Sequence, residues 1–346
     1  MESQIEQLKS LVDNANKILI TSHISPDPDA VASVLLAGTT LQANFPNKKI
    51  KMVLEEKPSK NISFLDNYSV LEFKSLPQAV QELHPDLLIM VDAMNFERCS
   101  RSDAGSIRTI VNQLSSKIVA IDHHEELDVE EGALYFNKKN PATAQELYEL
   151  LFFDLKLNKP TGYAQTTLLG IISDTARHKY DNHRHRETFK IVSELIDAGA
   201  SIEQLENKTE RYSAGQLRAI SAVTANIKDS GKGYTYSFID KDSPDHSMSQ
   251  ESKVSALKAA AEIFTSQFAR NFENNNWGFI IYPELASGPN VYSVSFRSVT
   301  GGIDVAALAH KLGGGGHKQA AGAKIQANSV QEALQKVQDA IQQSKN

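Results

Sequence analysis

Residues 17–29, KILITSHISPDPD, place one histidine and two aspartates directly after a short apolar run. The apolar run is typical of a buried β-strand, and the loop after it carries His23, Asp27 and Asp29. Two prolines in this loop restrict its backbone. The segment therefore predicts a strand that ends in a stiff loop bearing an imidazole and two carboxylates.

Three further segments repeat this arrangement. Asp92 follows the run Leu87–Val91, Asp122-His123-His124 follows Ile118–Ile121, and Asp174 follows the run at 168–172. Taken singly, each aspartate is better explained as a turn former or a helix cap, and Asp29 could cap a helix that begins near Ala30. Recurrence in four segments favours a shared site instead.

Clustered carboxylates oppose one another's ionisation, so two divalent cations would stabilise them. The spacing lets Asp27 and Asp29 face neighbouring metal ions, with Asp92 between the ions and with His123 and Asp174 completing the second one. Imidazole and carboxylate ligands without a thiolate favour manganese or magnesium over structural zinc. Four aspartates and two divalent cations also balance in charge.

Composition limits the classes of function. The chain has 346 residues, enough for two domains, and a formal net charge of −6, which argues against a basic surface for long duplex nucleic acid. The single Cys99 cannot form an intramolecular disulfide, the first residues lack a secretory signal, and no apolar stretch would span a membrane. These features predict a cytoplasmic protein without a membrane partner.

Alternating strand and helix patterns predict an α/β fold. Residues 1–209 are predicted to form a doubly wound parallel sheet, residues 210–233 a helical linker, and residues 234–346 a smaller α/β domain with a mixed sheet. Ligand sites favour domain interfaces and the carboxyl ends of parallel strands. We therefore expect the active site in the cleft between the two domains.

A glycine run in the second domain, Gly313–Gly316, is followed by His317 and Lys318. Its backbone N–H groups could bind an anion, although such runs also end helices or act as flexible joints. It is not a P-loop, because no Gly-Lys-Ser/Thr ending follows and no strand precedes it. Arg297, which ends a predicted strand upstream, could add positive charge.

Together these motifs resemble, in order, those of the DHH phosphoesterase superfamily with its DHH-associated C-terminal domain, and in particular the NrnA-type oligoribonucleases that also act on pAp. The resemblance implies that His23 and Asp27 bind a first manganese ion, that Asp29, His123 and Asp174 bind a second, and that Asp92 bridges them. It implies that His124 acts on the substrate while Asp122 orients its neighbours. Substrate binding would involve Arg297, Gly314, Gly315, Gly316 and His317.

The chain departs from the superfamily after Asp174. Ala176 stands where the family commonly has glycine, and His178 stands where it commonly has an aromatic residue. This change leaves the predicted metal ligands intact but alters the substrate pocket beside them. His178, His183 and His185 are more simply explained as a solvated loop than as a third metal site.

The resemblance implies an activity and its alternatives. The expected reaction is two-metal hydroxide attack, with Mn²⁺ or with Mg²⁺ or Co²⁺ as substitutes, on single-stranded RNA of about two to five nucleotides, on pAp, or on both. Alternatives are a phosphodiesterase of linear or cyclic dinucleotides such as pApA and cyclic di-AMP, a pyrophosphatase, and an inactive nucleotide-binding module. The oligomeric state stays open, with a homodimer as one alternative.

Overall fold

A computed structural model gives the fold of residues 2–58, 61–124, 128–179, 183–209, 211–241, 247–285 and 287–344. The chain divides into two compact units, Met1–Glu210 and Arg211–Asn346. Within the described residues, no helix combines the length and the apolar character that a membrane span requires. Each unit has its own sheet and its own cores.

The first unit contains a parallel six-stranded sheet in the order β3-β2-β1-β4-β5-β6. Its strands are β1 (Lys17–Thr21), β2 (Lys49–Leu54), β3 (Glu72–Phe73), β4 (Leu87–Val91), β5 (Lys117–Ile121) and β6 (Leu134–Phe136). The strand order reverses between β1 and β4, and in such sheets ligands bind where the carboxyl ends diverge. The apolar runs before His23, Asp92 and Asp122 are confirmed as the strands β1, β4 and β5, whereas the run before Asp174 belongs to a helix.

Helices cover both faces of this sheet. Successive side chains of a strand point to opposite faces, so Ile18 and Ile20 of β1 are buried in one core and Leu19 is buried in the other. The helices are α1 (Glu2–Asn14), α2 (Pro28–Asn44), α3 (Leu76–Leu83), α4 (Phe96–Cys99), α5 (Ala104–Gln113), α6 (Thr143–Tyr148), α7 (Tyr163–Asp174), α8 (His185–Asp197) and α9 (Ile202–Thr209). A 3₁₀ turn spans Tyr68–Val70, and a π-helical segment, Glu149–Asp154, extends α6.

The second unit contains a mixed six-stranded sheet in the order β11-β12-β10-β9-β8-β7. Only β8 and β9 are parallel among its pairs. Its strands are β7 (Lys228–Asp229), β8 (Thr235–Phe238), β9 (Trp277–Pro283), β10 (Val291–Ser298), β11 (Gly315–His317) and β12 (Ala320–Gln326). Its helices are α10 (Ala214–Ala225), α11 (Gln250–Ile263), which a π-helical turn Phe264–Phe268 extends, α12 (Val305–Lys311) and α13 (Val330–Gln342). The predicted α/β fold class is thus confirmed in both units.

The segment predicted as a linker, residues 210–233, is packed into the second unit where the structure describes it. Ala219 and Val223 of α10 are buried in a core with Ala256 and Leu257 of α11. The strand β7 pairs with β8. The sequence pattern gave only a helix followed by a turn, whereas burial of the apolar face of α10 ties this segment to the second sheet.

Candidate functional site

The loop after β1 is fixed by hydrogen bonds at both ends. Ser25 has a left-handed backbone (φ 55°), and its N–H and hydroxyl donate to Oε2 of Glu56 at 3.1 and 3.0 Å. Asp27 caps α2, because its Oδ1 accepts the N–H of Ala30 at 3.0 Å, and Pro28 begins that helix. The cap is therefore Asp27 and not Asp29, which leaves Asp29 in the first turn of α2, pointing inward.

Asp92 lies at the centre of the cluster. It follows β4 with a left-handed backbone (φ 55°), which Asp tolerates better than most residues, and it is 1% exposed. Its Oδ2 is 3.3 Å from Nε2 of His23, and its Oδ1 is 3.6 Å from Nε2 of His123. One carboxylate thus faces imidazoles from two different strand ends.

Two groups of three side chains bring their ligand atoms within 4.8 Å of one another. The first consists of His23, Asp27 and Asp92, and the second of Asp29, His123 and Asp174. In the second group, Nε2 of His123 is 3.1 Å from Oδ2 of Asp174, at the end of α7. The structure therefore brings together all six residues predicted to bind metal, in the division that the sequence predicted.

The first residues of α6 donate hydrogen bonds to two of the predicted ligands, Asp29 and Asp92, and this support was not predicted from the sequence. The N–H groups of Thr143 and Ala144 donate to the two carboxylate oxygens of Asp29 at 2.7 and 3.0 Å. The hydroxyl of Thr143 donates to Oδ1 of Asp92 at 3.0 Å. Backbone donors leave no mark in a sequence, and Thr143 stands outside the four acidic segments.

Gly170 of α7 is required by this packing. A β-carbon at this position would lie 2.4 Å from Oδ1 of Asp29 and 2.4 Å from the β-carbon of Ala144. Contacts this short do not occur between unbonded heavy atoms, so any side chain at Gly170 would displace Asp29 or α6. The glycine thus lets α7 approach α2 and α6 closely.

Asp122 supports the loop that carries the two histidines. Its Oδ1 accepts the N–H of His123 at 2.7 Å, the N–H of His124 at 3.1 Å, and Nδ1 of His124 at 2.7 Å. These bonds fix the positions of both histidines. The other oxygen, Oδ2, is buried without a hydrogen-bond partner among the described residues, and Asp122 forms a third group of possible metal ligands with Asp92, His123 and His124. Its contact with Nδ1 fixes the His124 ring, which leaves Nε2 as the nitrogen available to a ligand.

The carboxylates around His23 and His123 favour the protonated state of these two imidazoles. Burial lowers the pKa of His23, but the hydrogen bond and charge of Asp92 raise it further, to about 9. Burial likewise opposes a charge on His123, whereas the nearby carboxylates of Asp174 and Asp92 raise its pKa to about 10. Burial raises the pKa of Asp92, and the imidazoles around it lower it below its ordinary value. Protons here supply the positive charge that the carboxylates attract.

Ionisation of Asp27 and Asp29 is disfavoured in this site. Burial, together with the charges of Asp174 and Asp92, raises the pKa of Asp27 to about 6 and that of Asp29 well above its ordinary value. Both shifts follow from like charges in a site with little water. Added positive charge would relieve them.

These donors fit divalent cations. Nε2 of His123 is buried and lacks a hydrogen-bond partner among the described residues, although it faces carboxylates. The donor set is imidazole nitrogen and carboxylate oxygen, which suits manganese or magnesium and includes no thiolate. Cys99 is buried elsewhere, and burial raises the pKa of its thiol.

The turn after Asp174 contains the two departures from the superfamily pattern, Ala176 and His178. Ala176, Arg177 and His178 have φ values of 48°, 62° and 59°, a left-handed run that favours glycine at its first position. The His178 ring packs on Phe189 at a centroid distance of 4.8 Å, with neither ring nitrogen hydrogen-bonded within the described residues. None of His178, His183 and His185 belongs to a candidate metal cluster in the described part of the chain.

The glycine run in the second unit combines a helix end with a strand. Gly313 (φ 75°) and Gly314 donate to the carbonyls of His310 and Ala309 and so end α12 in a Schellman motif. Gly315–His317 then form β11 on the edge of the sheet. The glycine run is therefore partly hydrogen-bonded structure and not the open anion loop that was predicted. It also packs closely on β12, because a β-carbon on Gly314 would lie 2.1 Å from the carbonyl oxygen of Gly322.

Arg297 lies near the end of β10, two strands from β11. Its guanidinium donates to the carbonyl of Phe296 at 2.8 Å, and no carboxylate of the described residues lies within ion-pair distance. Burial lowers its pKa. A largely buried guanidinium without a carboxylate partner suits an anionic ligand.

Comparisons with known proteins agree with both halves of this description. The model of the DHH family N-terminal domain matches residues 17–171, and that of the DHHA1 domain matches residues 231–343. The chain is 28% identical over 322 residues to the bifunctional oligoribonuclease and PAP phosphatase NrnA of Mycoplasma pneumoniae, covering 92% of this chain and 90% of that protein.

Two solved structures share the fold. An exopolyphosphatase-related protein from Bacteroides fragilis aligns with a TM-score of 0.82 at 21% identity, covering 100% of this chain and 97% of that one. Exonuclease RecJ bound to manganese aligns with a TM-score of 0.51 at 16% identity, covering 98% and 92%. The chain therefore contains a DHH family N-terminal domain, whose matched residues include five of the six candidate metal ligands, and a DHHA1 domain, whose matched residues include Arg297 and the glycine run.

Proposed function

We propose that this protein is a metal-dependent phosphoesterase that hydrolyses short oligoribonucleotides to 5′-mononucleotides and converts pAp to AMP. The observation that carries the proposal is the pair of three-residue ligand groups around Asp92. The name of the Mycoplasma pneumoniae relative, which matches over almost the full chain, supports this choice of substrates.

Within this proposal, His23 and Asp27 hold one divalent cation, Asp29, His123 and Asp174 hold the other, and Asp92 is shared. When bound, such cations supply an activated water and stabilise negative charge on phosphate oxygens. Nδ1 of His124 is 2.7 Å from Asp122, which orients Nε2 toward the substrate. With both ring nitrogens protonated, Nε2–H would give its proton to the leaving oxygen and leave a neutral imidazole that still donates from Nδ1 to Asp122. Thr143 and Gly170 keep the carboxylates in place.

Finer features belong to the same proposal. Manganese is the proposed ion, because the donors mix imidazole with carboxylate and because a structure of similar fold was solved with manganese. Arg297, His317 and the backbone at Gly315 and Gly316 are the proposed contacts to the substrate. The N–H of Gly314, also predicted as a substrate contact, donates to the carbonyl of Ala309 instead. A net charge of −6 favours short substrates over long duplexes, and a single buried cysteine suits a cytoplasmic protein.

The test is a substrate panel with purified protein and Mn²⁺: pAp, pApA, RNAs of about two to five and about 24 nucleotides, cyclic di-AMP and pyrophosphate. We expect 5′-mononucleotides from the short RNAs and AMP from pAp, and little reaction with the long RNA. Asp92→Asn should abolish turnover, whereas Asp13→Asn, on the exposed face of α1, should leave it unchanged. Activity on cyclic di-AMP or pyrophosphate alone would refute the proposed substrates, and activity retained in Asp92→Asn would refute the site.

A further inference from the structure

A row of residues crosses the sheet of the second unit on one face. His317 of β11 pairs with Ala320 of β12, Ala320 pairs with Arg297 of β10, and Arg297 pairs with Gly278 of β9. Directly opposed residues in antiparallel strands project from the same face. With strands about 4.8 Å apart, His317 and Arg297 stand about 10 Å from each other across a single methyl group.

The sheet surface between the side chains of His317 and Arg297 carries only small residues. Ala320 carries only a methyl group, and in the neighbouring row Gly315 pairs with Gly322, which pairs with Ser295. The opposite face of the same strands packs into a core through Phe296, Val294 and Ala321. On the face of the row, few side-chain atoms lie between His317 and Arg297, while Ile280, which pairs with Ser295, packs into the other core of this unit.

Because Gly278 has no side chain, the chain segment at Ala269 can pack against this end of the row. A β-carbon at Gly278 would lie 2.8 Å from the carbonyl oxygen of Ala269, so Ala269 lies against the position opposite Arg297, on the face where the Arg297 side chain projects. Arg270 is the next residue along the chain. The absence of a side chain at Gly278 thus lets the segment that carries Arg270 approach the strand position opposite Arg297.

The positive charge of Arg297 acts on the guanidinium of Arg270. Burial lowers the pKa of Arg270, and the charge of Arg297 lowers it further. Like charges that lie this close gain from a shared anion, and guanidinium groups bind phosphate oxygens through paired hydrogen bonds. Arg270 was not predicted from the sequence, where it stands between two phenylalanines outside any motif.

We propose that Arg270 joins Arg297 and His317 in binding a terminal phosphate monoester of the nucleotide substrate. A monoester carries a charge of about −1.5 to −2 near neutral pH, whereas an internal phosphodiester carries one negative charge. A second arginine adds most to the binding of the dianion. This site would therefore select substrates with a phosphorylated end, such as pAp and 5′-phosphorylated dinucleotides; the inference rests on the proposed function for the identity of these substrates.

The test measures binding without turnover. Full-length protein in EDTA is titrated with pApA and with ApA, which differ only in the terminal phosphate. We expect the wild type to prefer pApA and Arg270→Met to lose about tenfold of that preference, with Arg270→Lys retaining part of it. Arg218→Met, at an exposed arginine of α10, is the matched control and should retain the full preference.

The results separate this inference from the proposed function, because binding in EDTA does not depend on catalysis. Equal affinity of the wild type for pApA and ApA would overturn the inference even if the enzyme cleaves short RNA. An unchanged preference in Arg270→Met would overturn it as well, and so would an equal loss of affinity for both dinucleotides. Thermal unfolding of each variant checks that the second unit is folded.

Discussion

Thr143→Val probes how the metal ligands are held. The hydroxyl of Thr143 donates to Asp92 at 3.0 Å, and the two residues are 0% and 1% exposed. Valine retains the shape of the side chain and the N–H donor to Asp29, so only this hydrogen bond is lost. A hydrogen bond to a charged group contributes about 1.5–3 kcal/mol, and losing such support lowers metal affinity about 10- to 100-fold.

The assay is titration of metal-free protein with Mn²⁺ by calorimetry. Thr167→Val is the matched control, because Thr167 is equally buried and donates to the carbonyl of Tyr163 at 2.8 Å, within α7. Both variants should lose some thermal stability, but only Thr143→Val should bind Mn²⁺ more weakly, and Thr143→Ser should recover most of the affinity. Equal Mn²⁺ affinities of Thr143→Val and Thr167→Val would refute the supporting role of this hydroxyl.

Two further predictions concern the same centre. Gly170→Ala places a β-carbon 2.4 Å from Oδ1 of Asp29 and should therefore weaken Mn²⁺ binding and lower the Tm. Gly105→Ala, on α5, is the control and should change neither. Calorimetry that still finds two tightly bound Mn²⁺ ions in Gly170→Ala would contradict this prediction. Metal-free protein should lose stability as the pH rises from about 6.5 to about 10. The raised pKa values of His23, about 9, and of His123, about 10, stabilise the fold only while the imidazoles are protonated. A Tm of EDTA-treated protein that rises over this range would show that these shifts have the wrong sign.

The sequence was sufficient for the elements with strong patterns and failed for those without. The strand Leu87–Val91 was predicted to the residue, because a continuous apolar run of this length is typical of a strand buried on both faces. The strand Ala320–Gln326 was missed, since alanine and glycine gave it no apolar alternation. Its neighbour Gly315–His317 resembled a loop for the same reason, and only pairing across the sheet makes it a strand.

The candidate site divides along similar lines. His23, Asp92 and Asp174 could be predicted because each follows an apolar run whose end meets the others in the fold. The support from α6 could not be predicted, because it comes from backbone N–H groups and from one threonine among many. Arg270 was equally invisible, since the approach of its segment to the position opposite Arg297 depends on the missing side chain of Gly278.

The central claim is that two metal ions share Asp92, and electron paramagnetic resonance of protein loaded with Mn²⁺ tests it most directly. In carboxylate-bridged two-metal sites the ions lie about 3.5–4 Å apart, close enough for their spins to couple. The account predicts two Mn²⁺ per chain with a coupled signal, and loss of that coupling in Asp92→Asn. One Mn²⁺ per chain, or two uncoupled ions in the wild type, would contradict it.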